Sequence, residues 1–478
     1  MEAISQIFSF ISGLGKYVMI PLMVSLIGIA FKCNPNKAIK GGITVGIGLF
    51  GLDLALSLVS NYLGPVATAL VDQAHLSLDV VDVGWTALSG IAYATEIGAL
   101  IIPFCLMVNI IMLSLGATKT MDIDIWNFWH YALTGSLIYL VTKNILFGFL
   151  AAAAHFVIML TIADRTAKQT QDTIGVPGVS IPHGGTLGGW VIGYVMEKVY
   201  NFFESKFSKG DKKEKKIDAE KAKKAKKLQK NPLAVVFRDP VYVGLILGVV
   251  LALIGRQDIK TALVTGMAMA ALLYLTPRMV KILMEGLLPI SNACKAIMSK
   301  KYKGQEVYIG MDNAIILGHP AVMIGTIVMI PVCVLLALFL PGNRIVPLAS
   351  LAACGYNCTV LCVMHKGKTW RTLLSCTILL AVLMLIGSSM AEEITSVAVA
   401  TGYGWTQTGY TLISAISGTL PSTFWFFHAF ELSSIAGIAL CLVVIIGLII
   451  WNRAYFKKQI DLSTTEFKDA DASSYTKE

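Results

Sequence analysis

Residues 310–320 read GMDNAIILGHP. QEVYI precedes them and AVMIGTIVMIPVCVLLALFL follows, so Asp312, Asn313 and His319 stand at the mouth of an apolar run. Twenty such residues match the thickness of a hydrocarbon core. Ionisable groups at membrane depth are costly and tend to serve function. Similar runs recur along all 478 residues, which are 55% hydrophobic and 14% charged, with a mean hydropathy of +0.70. A soluble chain of this size would carry roughly 25% charged residues. The sequence therefore predicts an all-α polytopic membrane protein. A transmembrane barrel would show short alternating segments instead. Met1–Phe10 carries Glu2 and lacks a basic n-region, so no cleavable signal is expected.

The net charge of +10 is mostly local. Residues 206–230, KFSKGDKKEKKIDAEKAKKAKKLQK, hold 12 Lys against 4 acidic residues. No nucleic-acid partner follows from this. The stretch reads as a solvated cytoplasmic linker that either rests on anionic lipid or meets an acidic partner. The nine Cys form no CxxC. Cys354, Cys358 and Cys362 share one helix face, where small residues ease packing.

Placing basic loops in the cytoplasm gives about eleven spans, with the N-terminus outside and the C-terminus inside. Residues 278–302 become a basic inner loop. Segments 176–203 and 402–430 are rich in Gly and Pro and read as re-entrant or interfacial. An internal repeat is also visible. AIKGGITVG (38–46) matches DIKTALVTG (258–266), and YLGP (62–65) matches GLLP (286–289). VDVGW (81–85) matches IGMDN (309–313), and IIPFC (101–105) matches MIPVC (329–333), the offset drifting from 220 to 228. About five spans per copy, an odd number, would invert the second copy, as in many transporters. The expected organisation is a first repeat at 1–205, a linker at 206–235, a second repeat at 236–432, and a last span and tail at 433–478.

The polar islands supply the site candidates. Asp82, Glu96, Asp312, Asn313 and His319 would line a cavity between the repeats. For Asp82 and Asp312 a headgroup position or a helix cap fits equally well. MDIDIWNFWH (121–130) places Asp124, Asn127 and His130 on one helical face. Its Trp126 and Trp129 read as interfacial anchors. GVPGVSIPHGGTLGGW (175–190) surrounds His183 with glycine, which suits a gate or ligand loop. Carboxylates and amides can hold adjacent sugar hydroxyls, and Trp85 could cover a sugar's C–H face; amino acids and ions also fit such groups. His75, His155, His365 and His428 read as structural. No HExxH, P-loop or GxSxG pattern is present, so no metal, cofactor or ATPase engine is expected.

VDVGW, DIWNFWH, IPHG, GQEVYIGMDNAIILGH and PGN followed by VPLASLA resemble the galactitol-type enzyme IIC components of the bacterial phosphotransferase system, over roughly 1–460. The resemblance implies a homodimer in the inner membrane and a sugar-binding core that moves as an elevator. It also implies separate cytoplasmic IIB and IIA components, with phosphate passed from a IIB cysteine to the bound sugar. The chain itself would not be phosphorylated. Two departures stand out: the Lys-rich linker is long, and Glu96 takes the place of a Gln. On this reading Asp82, Glu96, Asp312, Asn313 and His319 hold a hexitol, and His183 acts as general base. The rival is a proton-coupled polyol transporter working through Glu96 or Asp312.

Overall fold

A computed structural model describes residues 16–73, 78–208, 240–301, 307–347, 349–403 and 411–474. Most of the Lys-rich linker (209–239) and His75 lie outside the described residues. Six of the described helices are long and apolar enough to cross a membrane, and the chain is a multi-pass protein of the bacterial inner membrane.

The fold begins with a helical pair, α1 (Lys16–Ala30) and α2 (Pro35–Leu58). Asn34 starts α2 by accepting the backbone N–H of Asn36 and Lys37 at 3.1 and 3.3 Å. A second pair has the same plan: α9 (Pro240–Ile254) and α10 (Ile259–Lys301). Asp258 there accepts the N–H of Lys260 and Thr261 at 2.9 and 3.1 Å. The two pairs pack into one module. At the α2–α10 crossing a Cβ on Gly41 would lie 2.6 Å from the Gly286 carbonyl, so only glycine permits the approach. Helix α10 corrects an expectation. Residues 278–301 continue the span as helix through Pro277 and Pro289. Packed membrane helices tolerate such prolines because their neighbours satisfy the freed backbone. Arg278 stays near its own turn, donating to the Tyr274 carbonyl at 2.6 Å.

The remaining elements form a second module. After α3 (Gly64–Gln73) come β1 (Val80–Asp82), α4 (Gly84–Tyr93), α5 (Glu96–Ser114), β2 (Thr120–Asp122), α6 (Trp129–Thr142), α7 (Ile145–Ile174), β3 (Val179–Ser180) and α8 (Thr186–Ser208). The second half supplies β4 (Tyr308–Gly310), α11 (Pro320–Phe339), β5 (Ile345–Val346), α12 (Cys354–Met364), α13 (Thr369–Ser389), α14 (Ala391–Ala400), β6 (Leu412–Ser414), α15 (Pro421–Leu432) and α16 (Ser434–Ser474). Short 3-10 turns at Ile125–Phe128, Asn313–Ile316 and Ala349–Ala353 lead into α6, α11 and α12.

The six strands among the described residues, of two or three residues each, form two parallel sheets ordered β5-β1-β6 and β2-β4-β3. Each sheet takes its centre from one half of the chain and both edges from the other. Val80 pairs with Ile345 and Leu412, while Ile309 pairs with Met121 and Val179. An all-helical expectation misses these strands because two residues carry no alternation to read. Segment 176–203, expected to be re-entrant or interfacial, is helical over most of its length. Thr186–Ser208 is one continuous helix. Its glycines mark close packing: a Cβ on Gly189 would meet Val360 at 2.2 Å, and one on Gly193 would meet Met364 at 2.8 Å. Cys354, Cys358 and Cys362 are buried free thiols in α12, and Cys358 faces Gly325 of α11.

Candidate functional site

Loops from both sheets converge on a pocket of about 70 Å³, several times the space one water needs. From the β2-β4-β3 sheet come Asn127, Asp312 and His183. From the other sheet come Trp85 after β1, Ala353 and Tyr356 after β5, and Ser417 after β6. A parallel sheet delivers its loops at one end, so both halves of the chain supply the walls.

The charged wall is tightly specified. Asn127 Nδ2 donates to Asp124 Oδ2 at 2.7 Å and to Asp312 Oδ2 at 3.1 Å. Asp312 Oδ1 accepts the Ala314 N–H at 2.8 Å, capping the 3-10 turn that carries Asn313. Asp312 is therefore both cap and pocket wall, so the two sequence readings are compatible. Asn313 Nδ2 donates to Thr359 Oγ1 at 3.3 Å.

Two histidines meet edge to face, with ring centroids 4.7 Å apart. His130 stacks on Trp129 at 3.7 Å, and its Nδ1 lies 2.8 Å from the Asn127 carbonyl. A carbonyl only accepts, so Nδ1 holds the proton and Nε2 keeps a lone pair. His183 is the opposite case. Its Nδ1 accepts the Gly185 N–H at 3.1 Å, which leaves the proton of the neutral ring on Nε2. In this arrangement His183 presents Nε2–H as a donor. The lone-pair nitrogen of the pair is His130 Nε2. Gly184 allows the approach, since a Cβ there would sit 2.5 Å from His130 Cβ. His155 holds the loop from beneath, with Nε2 3.1 Å from the Gly184 carbonyl and 2.8 Å from Ser422 Oγ.

Three expected residues lie away from this pocket. Asp82 is buried, and its carboxylate accepts the N–H of Ser350 at 2.6 Å, of Gly84 at 3.2 Å and of Ile416 at 3.4 Å, plus Ser350 Oγ at 2.8 Å. It ties the loops after β5 and β6 to β1. Glu96 is exposed in the first turn of α5, behind the Thr95 cap. Glu96 is not among the residues that line the pocket. His319 caps α11 through the Ala321 N–H at 3.2 Å, with Cys362 Sγ 3.2 Å from the same nitrogen. Asp124 reaches the site through Asn127 and borders a smaller cavity shared with Ile20, Leu49 and Leu283 of the helical-pair module.

Sequence reasoning missed other residues. Trp126 and Trp129, read as anchors, line the pocket, as do Tyr356, Asn357, Thr359 and Ser417. Trp126 Nε1, Trp129 Nε1 and Asn313 Oδ1 are buried without a hydrogen-bond partner among the described residues. Each such group costs about 1–3 kcal/mol when left unpaired. All three residues line the pocket, and a hydroxyl, which both donates and accepts, is the kind of group that could pair with either type of atom. Among the described residues no cluster of His, Cys, Asp or Glu could hold a metal.

Comparison with known proteins agrees with this chemistry. Residues 9–409 match the family model described as the sugar-specific permease component of the phosphotransferase system. A permease IIC component of Escherichia coli strain K12 is 36% identical over 398 residues, covering 83% of this chain and 88% of that protein. The galactitol-specific EIIC component of the same strain is 30% identical over 456 residues, covering 94% of this chain and 97% of that protein. Its counterpart in strain O157:H7 matches to the same extent. A match over most of the chain, with a hydroxyl-suited pocket built from both of its halves, shows that the protein belongs to the sugar-specific EIIC permeases of the phosphotransferase system.

Proposed function

We propose that this permease carries a hexitol, galactitol or a close relative, in the pocket bounded by Asn127, His130, His183, Asp312 and Asn313. The observation that carries the reading is the set of unpaired groups on Trp126, Trp129 and Asn313, beside the Asn127–Asp312 pair. Trp85 would lie along the C–H face of the sugar. Expected roles for Asp82, Glu96 and His319 give way to supporting ones.

The organisation follows from the strand exchange. Under an offset of 228, β1 corresponds to β4, and the edge strands β2 and β3 precede β5 and β6 by 225 and 233 residues, close to that offset. That exchange, and the matched caps Asn34 and Asp258, support two inverted repeats. On this reading each repeat contributes to both modules, and the sequential division into 1–205 and 236–432 describes the repeats and not the packed bodies. An elevator motion would carry the pocket module past the helical-pair module, along the contact where Ile315 and Met311 meet Leu49 and Leu283. The helical pairs would hold a homodimer.

Phosphate would arrive from a cysteine of the cytoplasmic IIB component, itself charged by IIA. The sugar hydroxyl oxygen attacks phosphorus, an O–P bond forms, and the S–P bond breaks to release the IIB thiolate. The hydroxyl proton passes to His130 Nε2, while the Nε2–H of His183 hydrogen-bonds the sugar. General-base help of this kind is typically worth about 10²–10⁴-fold.

The test is uptake of radiolabelled galactitol by vesicles containing the full chain, with phosphoenolpyruvate and the soluble components supplied. Label recovered as galactitol phosphate supports the proposal. Free label that is abolished by a protonophore would replace it with the proton-coupled transporter. Absence of uptake, with another polyol recovered as its phosphate, would change the sugar and keep the mechanism.

A further inference from the structure

A second cavity lies on the flank of the protein, between α7, α8, α15 and α16. It measures about 290 Å³, roughly twenty times the space one water needs. Its walls are carbon: Ile158, Leu187, Val444 and the rings of Trp190, Trp425 and Trp451. Thr161 also lines it, but its hydroxyl is already bonded to the Val157 carbonyl at 2.8 Å. An apolar cleft open beside membrane spans faces lipid, and α16 is little covered by protein, with 11% of its span buried.

One end of the cleft is cationic. Arg165 lines it there, its guanidinium 4.3 Å from the Trp451 ring centroid and 3.3 Å from that of Tyr455. Its Nη2 donates to Asn452 Oδ1 at 3.0 Å. Its Nε has no partner among the described residues. The neighbouring carboxylate, Asp164, is bonded to Thr118, Lys119 and Thr120. Lys168 lies one turn further along α7, and Arg453 and Lys457 follow Trp451 on another face of α16, at about the same level; all three are exposed. Arg165 stands about 30 Å along α7 from Ile145, one hydrocarbon thickness. Trp and Tyr at that level are the residues that mark a membrane interface.

We propose that this cleft binds an anionic phospholipid, with one acyl chain between α7 and α16 and the phosphate at Arg165. An apolar slot calls for a chain, and a cluster of cations at interfacial depth calls for a negative headgroup. The positive-inside rule puts this end in the cytoplasmic leaflet. The inference is independent of which sugar the permease carries.

Gly447 supplies a clean variant. It lines the cleft, and a Cβ there would meet nothing within 4 Å. Gly447→Leu therefore starts from open space and extends an isobutyl group into the slot. The full chain is reconstituted in phosphatidylcholine bilayers and titrated with phosphatidylglycerol carrying brominated acyl chains, which quench tryptophan. The expected result is a saturable quenching component at low mole fraction. Gly447→Leu removes it, and Arg165→Gln moves its midpoint roughly five-fold higher. Quenching that rises in proportion to mole fraction, alike in all three proteins, would mean annular lipid and overturn the proposal. A saturable component that survives Gly447→Leu would overturn the placement. If Arg165→Gln does not fold, added salt on the unaltered chain does the same work: a midpoint independent of ionic strength overturns the headgroup contact.

Discussion

Asn127 and Asp312 are 185 residues apart in the chain and meet at 3.1 Å. One follows β2 and the other β4, neighbouring strands from opposite halves. The amide also holds Asp124 at 2.7 Å, so its NH₂ group stands between two carboxylates. The pair is the point at which the two halves fix one wall of the pocket.

Replacing the amide by a carboxylate should therefore be severe. Asn127→Asp would set a third acidic oxygen pair against Asp124 and Asp312 and remove the donor between them. A hydrogen bond to a charged group is worth about 1.5–3 kcal/mol, so sugar affinity should fall roughly 10–100-fold. Asp312→Asn should fall in the same range, because the neutral amide keeps the capping oxygen and loses the charge. Equilibrium binding of labelled galactitol to the purified chain measures both. Unchanged affinity in either variant would remove this wall from the site.

The two histidines should separate in a kinetic comparison. His130→Gln removes the lone-pair nitrogen, so phosphorylation should drop by about 10²–10⁴-fold with binding changed far less. His183→Gln keeps an N–H donor and should retain most of the phosphorylation rate. The reverse pattern would return the base to His183. The readout is single-turnover transfer from phosphorylated IIB, with sugar binding measured alongside.

The membrane class and both polar islands of the first half were legible because composition and apolar run length carry that information directly. Asp312, Asn127 and His130 could be picked out because a polar group inside an apolar segment is conspicuous. What could not be read was direction. Asp82 and Asp312 look alike in sequence, yet residue 82 aligns with Gly310 and residue 312 with Gly84 under the 228 offset, so they hold different places in the repeat. Glu96 looked deep because GALIIPF follows it, but it sits in the exposed first turn of α5. Trp126 and Trp129 were hidden by the usual interfacial role of tryptophan. Their pocket position depends on a 3-10 turn, too short to leave a period.

Asp82 should act on the fold and not on the sugar. Its two oxygens accept three backbone N–H groups and one hydroxyl. Asp82→Asn would turn an NH₂ toward donors and leave at least one buried N–H unpaired, costing about 1–3 kcal/mol for each orphaned group. Lower thermal stability in detergent is expected, with galactitol affinity per folded molecule retained. A selective loss of affinity at unchanged stability would place Asp82 in the binding shell after all.

Arg371 should be the most sensitive position away from the pocket. It is fully buried and donates to Glu197 at 2.7 Å, to Asn201 at 3.1 Å and to Glu204. Glu197 in turn meets His365 at 2.8 Å, and the other nitrogen of His365 lies 2.9 Å from Ser375 Oγ. The network ties α8 to α12 and α13 at the end of α8 that leads into the Lys-rich segment. Arg371 is enclosed, but its partners Glu197 and Glu204 are partly exposed, so water screens the charges that its loss would strand. Arg371→Leu should therefore lower the melting temperature, chiefly through lost hydrogen bonds and packing. Arg371→Lys should recover little of the loss, because an ammonium lacks the planar fork that reaches two carboxylates at once. The triple variant Arg371→Leu, Glu197→Gln, Glu204→Gln removes the stranded charges together and should be more stable than Arg371→Leu alone. Detergent melting curves for the three proteins measure this order, and a single variant as stable as the triple would show that the network contributes no coupled charge stabilisation.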